Sequence, residues 1–243
     1  MEPIPKGHLH PITQAIREIA DIFGALGFSI AVGPEMEDEW HNFDALNVPK
    51  DHPARDMQDT FWIRQQQTNY PTKKLLLRTH TSSVQIRYME EKVRKGIKPP
   101  YRIIVPGKVF RNEATDATHE TQFYQVEGLA VDKEISLAEL KGTLLYFFRN
   151  FFRDNKIDIR FRTSFFPFTE PSAEVDMQRG GKWLEMGGAG LVHPKVLQAV
   201  GLPPKKWRGF AFGVGLDRLL MLRHGIPDVR LFYNGDLRVV NQF

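Results

Sequence analysis

The stretch FRNEATDATHETQFYQVEGLAVD, from Phe110 to Asp132, concentrates side chains able to handle a charged ligand. As two strands joined by a loop, it obeys the period-two alternation of strand side chains. That puts Phe123, Gln125 and Glu127 on one face and Tyr124, Val126 and Gly128 on the other. On the first strand Val109, Arg111 and Glu113 share a face. Antiparallel pairing would gather a guanidinium, two carboxylates, an amide and an aromatic ring on one side of a hairpin. Spacing alone leaves two readings open, a solvated outer face or a ligand cradle. The connecting loop ATDATHETQ is long for a hairpin and carries His119, an ionisable donor able to meet phosphate. A second cationic turn lies in GFAFGVGLDR, where a strand passes Gly213 and Gly215 into a helix whose first turn holds Arg218. Glycines admit a ligand close to backbone, and a helix N-terminus favours anions; Arg218 could instead pair with Asp217. Two Arg-bearing strand ends and a loop histidine point to a triphosphate rather than a protein partner.

These groups need elements to hold them. Ile12, Ile16, Ile19, Phe23 and Leu26 recur at helical spacing from Pro11, with Gly27 as a stop signal. A short strand then enters Gly33–Pro34, followed by a polar, loop-rich segment of the functional kind. LLLRTHTSSVQIRYMEEKVRKG reads as a strand passing into a helix capped by Thr81, Ser82 or Ser83. LAELKGTLLYFFRNFFRDN is an amphipathic helix, and IDIRFRTSFFPFTEP reads as one strand. KWLEMGGAGLVHPKVLQAVG reads as a strand, a Gly-rich turn and a helix. Strands and helices alternate without a βαβ rhythm, which predicts an α+β fold with an antiparallel β-sheet flanked by helices. The absence of repeats and low-complexity linkers predicts a single domain over residues 1–243, with 1–9 as a Pro/Gly-punctuated arm.

Composition limits the chemistry. The 243 residues contain no cysteine, which excludes disulfides, thiolate metal sites and cysteine nucleophiles. No apolar run approaches the ~20 residues of a membrane span, and MEPIPKGHLHP is not a signal peptide; a cytoplasmic protein with no membrane partner is expected. The formal charge of +4 is spread along the chain rather than gathered in a basic tail.

Arg111, its loop and Phe123 resemble motif 2 of the class II aminoacyl-tRNA synthetases, and FGVGLDRLLML resembles motif 3. From HPITQ to NQF the chain resembles the catalytic module of the bacterial phenylalanyl-tRNA synthetase alpha subunits, through GPEMEDEWHNFDALN, DTFW, LLLRTHTSSVQIR, RNEATDATHETQFYQVEG, FFPFTEPSAEVD, GGAGLVHP and GFAFGVGLDR. The resemblance implies activation of phenylalanine by ATP with Mg²⁺, transfer to tRNA(Phe), and a beta subunit as partner in a heterotetramer. It implies Arg111 on the α-phosphate, His119 on the β- and γ-phosphates, and Phe123 and Arg218 on the two faces of adenine. Glu113 would accept from the adenine amino group, with Gly215 at the turn. His80, Ser82 and Gln85 stand where the family holds the substrate's ammonium and carboxylate. Gln125 and Glu127 would complete that cradle near Trp62. Phe166 and Phe168, two residues apart on one strand face, would pack edge-to-face on the substrate ring. Ala211 would floor the pocket beside Gly213, and Glu170 would contact Mg²⁺.

Some features depart from the family pattern. Its alpha subunits begin with a helical, coiled-coil arm, which this chain lacks, so weakened tRNA binding is expected. Tyr124 stands where many relatives carry His, and Ala189 where some carry Cys. The helix from Pro11 resembles motif 1, which builds dimer interfaces, although its apolar stripe also suits an intradomain role. Two alternatives stand beside this reading: an adenylate-forming paralogue acting on another amino acid or acceptor, and a non-catalytic subunit that keeps the fold. Arg111 and Arg218 argue against the second.

Overall fold

The computed structural model describes residues 7–56, 59–64 and 74–243. Most of the expected arm, residues 1–6, lies outside them; Gly7, His8 and Leu9 are exposed and without regular structure. Seven strands form one sheet in the order β1 (Ser29–Ile30), β4 (Tyr101–Phe110), β5 (Gln122–Asp132), β9 (Arg208–Gly215), β8 (Lys182–Val192), β7 (Thr169–Arg179) and β6 (Asp158–Phe166). Every pairing is antiparallel except β1 with β4, so the sheet is mixed at that one edge. A separate pair joins β2 (Met36–Asp38) to β3 (Leu75–Leu77).

Alternation along β5 divides the molecule. Val126 and Ala130 face a core made by α1 (Pro11–Gly24), α4 (Leu137–Phe152) and α6 (Leu216–His224), where Ile19, Phe23, Phe147, Phe148, Phe151 and Phe210 are fully buried. Leu129 and Val131 face the other way, against α3 (Ser82–Arg94) and α5 (Pro194–Ala199). Gln125 and Glu127 lie on this same face, with Glu127 buried beneath the first turn of α3.

The helices start where the sequence predicts, with local differences. Pro11 opens α1 beneath a His10 cap, and Ser136 caps α4 through the Glu139 N–H. Thr81 occupies the cap position of α3, but its side chain makes no capping bond. The segment expected as one strand through FFPFTEP is a hairpin: β6 ends at Phe166, Pro167 and Phe168 form the turn, and β7 begins at Thr169. Pro167 has no N–H to give a strand ladder and stands in that turn. Gly187–Gly190 form no turn. They run through β8, with a register shift between Val175 and Asp176 on the facing strand, as glycines in strands often mark bulges.

Candidate active site

The hairpin register is Gly107 opposite Gln125, Val109 opposite Phe123 and Val105 opposite Glu127. Beyond β4 the Arg111 N–H still donates to the Thr121 carbonyl at 2.9 Å, so Arg111 extends the face carrying Phe123, Gln125 and Glu127. On β9 and β8, Gly213 and Ala211 lie opposite Gly188 and Gly190. Small residues leave the floor of this face as bare backbone, and a cavity of about 380 Å³ opens over it. Its lining brings together His80, Ser82, Gln85, Arg111, Glu113, Gln125, Glu127, Phe166, Phe168, Ala211 and Gly213, all expected from the sequence. Trp62, His119, Phe123, Gly215, Arg218 and Glu170 are not in the lining.

Glu127 is the best-supported group in the cavity. Its carboxylate accepts from the Thr81 N–H (3.1 Å), Ser82 Oγ (2.5 Å) and Gln85 Nε2 (2.9 Å). Ser82 and Gln85, expected to grip a substrate directly, therefore hold Glu127. Burial pushes this carboxyl up to about 7, against the opposing pull of those donors and of the Arg111 and Arg78 guanidiniums. Among the described residues this buried carboxylate has no ion-pair partner in contact, an arrangement that suits a ligand's ammonium. Two neighbouring polar atoms, His80 Nδ1 and Gln125 Oε1, are buried without a hydrogen-bond partner. Such atoms carry a desolvation penalty unless a ligand or water reaches them. Burial, then the Arg111 and Arg78 charges, lowers His80 to about 3, so its imidazole is neutral at pH 7.

Opposite this polar corner lies an aromatic wall. Phe166 and Phe168 stack on each other, with centroids 5.8 Å apart and planes 7° from parallel. The turn at Pro167–Phe168 brings them together, since they do not share a strand. Asn47 Nδ2 donates to the Pro167 carbonyl at 2.7 Å and steadies that turn. A Cβ at Gly188 would stand 2.8 Å from Phe166 Cζ, so the ring needs a glycine beneath it.

The remaining residues mark a more open end. The Arg111 guanidinium lies 5.0 Å from the Phe123 ring centroid, donates through Nε to the Thr79 carbonyl (3.2 Å), and stands 3.9 Å from Glu113. His119 is exposed and lies 3.0 Å from the Asp116 carboxylate, which also accepts from the Thr118 and His119 amides. Arg218 leaves Asp217 alone: its Nε donates to the Glu185 carbonyl at 2.8 Å. Asp217 accepts instead from the Tyr124 N–H (2.7 Å) and the Tyr233 hydroxyl, pinning α6 to β5. Trp62, expected near the ammonium, donates its indole N–H to the Arg55 carbonyl at 3.2 Å and packs beside Phe43.

Metal-binding potential is slight. Glu170 is exposed, with one oxygen 3.3 Å from His193 Nε2. Among the described residues, the group of three ligand-capable side chains is Glu37, Asp38 and His41, outside the cavity and bonded to Arg87. Sequence reasoning missed the apolar lining from Ile86, Met89, Leu129 and Val196, which carries no signal apart from ordinary core spacing.

A strand-built floor, a motif-2-like arginine and a glycine turn entering a helix define a class of protein. The family described as "tRNA synthetases class II core domain (F)" matches residues 1–243. A crystal structure of pyrrolysyl-tRNA synthetase from Desulfitobacterium hafniense shares the fold, with a TM-score of 0.72 at 18% identity over 94% of this chain and 75% of that one. Curated relatives called phenylalanine–tRNA ligase alpha subunit are closer in sequence. The one from Dehalococcoides mccartyi is 53% identical, covering 99% of this chain and 71% of its own length. That from Proteus mirabilis is 55% identical, covering 99% and 69%, and that from Prochlorococcus marinus 52%, covering 99% and 67%. The chain therefore belongs to the phenylalanine–tRNA ligase alpha-subunit family of class II synthetases. Among the described residues no helix is long and apolar enough to cross a membrane.

Proposed function

We propose that this chain activates phenylalanine with ATP and transfers it to tRNA(Phe), as the catalytic alpha subunit working with a beta subunit. The observation that carries the reading is one cavity lined by a buried carboxylate, a pair of stacked phenylalanine rings and a guanidinium. Glu127 takes the ammonium; the unpaired His80 Nδ1 and Gln125 Oε1 meet polar atoms of the same substrate. The phenyl ring enters over Ala211 against Phe166 and Phe168. This aims the substrate carboxylate toward Arg111.

The first step is in-line. A carboxylate oxygen of phenylalanine bonds to the α-phosphorus of ATP, the bond to the bridging oxygen breaks, and pyrophosphate leaves with its electron pair. Arg111 stabilises charge developing on the α-phosphate, and positioning supplies much of the rest. Phe123 and Arg218 hold adenine, Glu113 accepts from its amino group, and His119 approaches the outer phosphates. Mg²⁺ brought in with ATP would offset phosphate charge, and Glu170 is the side chain of this chain that would meet it. In the second step a terminal ribose hydroxyl of tRNA attacks the carbonyl carbon and AMP leaves.

Phenylalanine-dependent ATP–pyrophosphate exchange tests the reading, with a panel of amino acids run alongside, on the chain alone and assembled with its beta subunit. Exchange confined to phenylalanine is expected. Exchange with an unrelated amino acid in place of phenylalanine would turn the assignment to a paralogous adenylate-forming enzyme. A hydrophobic slot rejects an added hydroxyl by only about a hundredfold, so weak exchange with tyrosine is expected.

A further inference from the structure

Arg78 is a buried cation that the reaction above does not use. The residue is 4% exposed and, among the described residues, makes no ion pair; the Glu35, Glu127 and Glu37 carboxylates act on it only through space. The guanidinium is held by three backbone carbonyls. Nε donates to Lys108 at 2.7 Å, and Nη1 donates to Gly33 at 3.1 Å and Pro34 at 3.2 Å. Gly107 makes room for it: a Cβ there would overlap Nη2 and come within 3.3 Å of the Thr81 methyl. The Arg78 backbone is tied as well, its N–H to the Glu35 carbonyl and its carbonyl to the Phe110 N–H, both at 2.9 Å.

The residues next after Arg78 in the chain frame the site. The Thr79 carbonyl accepts from Arg111 Nε. His80 carries the unpaired Nδ1. The Thr81 N–H and Ser82 Oγ both donate to Glu127. Five consecutive residues thus join the attacking end of the substrate to its ammonium end, and their first residue is fixed at both backbone and side chain. A buried charge bonded only to carbonyls is expensive to keep for stability alone, and a planar fork that meets three acceptors in set directions cannot be replaced by an ammonium.

We propose that Arg78 is a positioning residue for the amino-acid end of the site. Wedged over Gly107 against the carbonyls of Gly33, Pro34 and Lys108, it sets the 78–82 segment and through it the place of Glu127. The proposal rests on the phenylalanine-activating reading and sharpens it. Arg78 touches no substrate. It acts on phenylalanine binding and leaves ATP largely alone, because Glu113, His119 and Arg218, the residues proposed for adenine and the outer phosphates, are exposed and not bonded to the 78–82 segment.

Three variants separate geometry from charge, each measured in the alpha–beta assembly by pyrophosphate exchange. Arg78→Lys keeps the charge and loses the fork. Gly107→Ala keeps the arginine and displaces it. Arg78→Met removes the charge at similar length. The expected result for Arg78→Lys and Gly107→Ala is a rise in KM for phenylalanine of about tenfold or more, with KM for ATP within about twofold, the size set by losing one or two charged hydrogen bonds. Arg78→Met adds an electrostatic readout. Glu127 faces Ser82, Gln85 and the Thr81 N–H, with Arg111 and Arg78 as the nearby charges. Loss of Arg78 should move the acid limb of kcat/KM for phenylalanine to higher pH, while Arg78→Lys leaves that limb in place. A folded Arg78→Lys and a folded Gly107→Ala with wild-type KM for phenylalanine would overturn the proposal. So would equal loss in both KM values, or loss of folded protein alone with the KM values unchanged, since a structural role would behave that way. If wild type shows no phenylalanine-dependent exchange, the functional reading has failed instead, and the two failures are distinguished by that one control.

Discussion

At the end of the cavity proposed for the amino acid Glu127 is nearly covered and bonded to three donors, while Phe166 and Phe168 stack above glycine backbone. At the end proposed for the nucleotide Arg218, Glu113 and His119 are exposed, and the 112–119 stretch of the loop is exposed throughout. The first region has its polar atoms already placed for a ligand. In the second, the groups assigned to phosphate satisfy one another instead, as His119 does with Asp116. Selection of the amino acid can therefore be preformed, whereas the phosphate contacts must exchange local partners for the nucleotide. Arg111 sits at the boundary, over Phe123 on one side and bonded to Thr79 on the other.

Arg111→Ala should give the largest effect because it removes the group common to both ends. A drop in the exchange rate of about a thousandfold is expected, comparable to loss of a charge-stabilising donor in other active sites. Circular dichroism and the melting temperature should change little, since Arg111 is only part-buried. Activity within tenfold of wild type would remove Arg111 from its central role and erase the boundary between the two regions.

Glu127→Gln tests the preformed end. The amide keeps an acceptor for Ser82 but loses the charge that holds an ammonium, so KM for phenylalanine should rise about a hundredfold, in keeping with loss of a buried charged bond. In wild type the carboxylate must be ionised to bind, and it titrates at about 7. KM for phenylalanine should therefore rise about tenfold per unit as pH falls below that value, and the variant should be flat. The stability sign is opposite. A carboxyl raised in the fold binds its proton more tightly folded than unfolded, so its contribution is lost as pH rises through about 7. At pH 8 Glu127→Gln should melt higher than wild type, by roughly 2–4 °C for each kcal/mol recovered. A variant both weaker in binding and less stable at pH 8 would mean that the carboxylate is already compensated without substrate.

The sequence revealed the parts of this comparison unevenly, for physical reasons. The elements α1, α4 and α6 and the strands of the β4–β5 hairpin were legible because apolar periodicity and alternation are local. The face carrying Arg111, Gln125 and Glu127 followed from period two, though its function did not. The turn at Pro167–Phe168 was missed because FFPFT is aromatic enough to pass for continuous strand. The run Gly187–Gly190 was misread because glycine signals turns, and its use here as a thin floor depends on β9 lying beside it. Ser82 and Gln85 were recognised as site residues, but their bond to Glu127 spans 45 and 42 positions of chain. The roles of Arg78 and Asp217 likewise depend on contacts made only in the folded chain.

Ala211→Gly probes the floor of the slot. Removing one methyl beneath the ring should raise kcat/KM for para-chlorophenylalanine about tenfold, the size of a methylene-scale discrimination, with phenylalanine nearly unaffected. No gain would put the para position elsewhere on the lining.

His119→Ala should give the smallest change, and its character matters more than its size. His119 is exposed and already placed by Asp116 and Thr118, so its contact with phosphate would replace an existing one at high dielectric. Exposed ion pairs contribute only about 0.2–1 kcal/mol, which corresponds to a rise in KM for ATP of up to about fivefold. The effect should shrink as salt is raised, because a Debye length of about 8 Å at physiological ionic strength screens exposed charges. KM for phenylalanine should not move, since His119 bonds to Asp116 and Thr118 and not to the Glu127 cradle. A salt-independent loss of a hundredfold would show instead that the loop closes over the nucleotide and buries His119, which would make the nucleotide end as enclosed during reaction as the amino-acid end is before it.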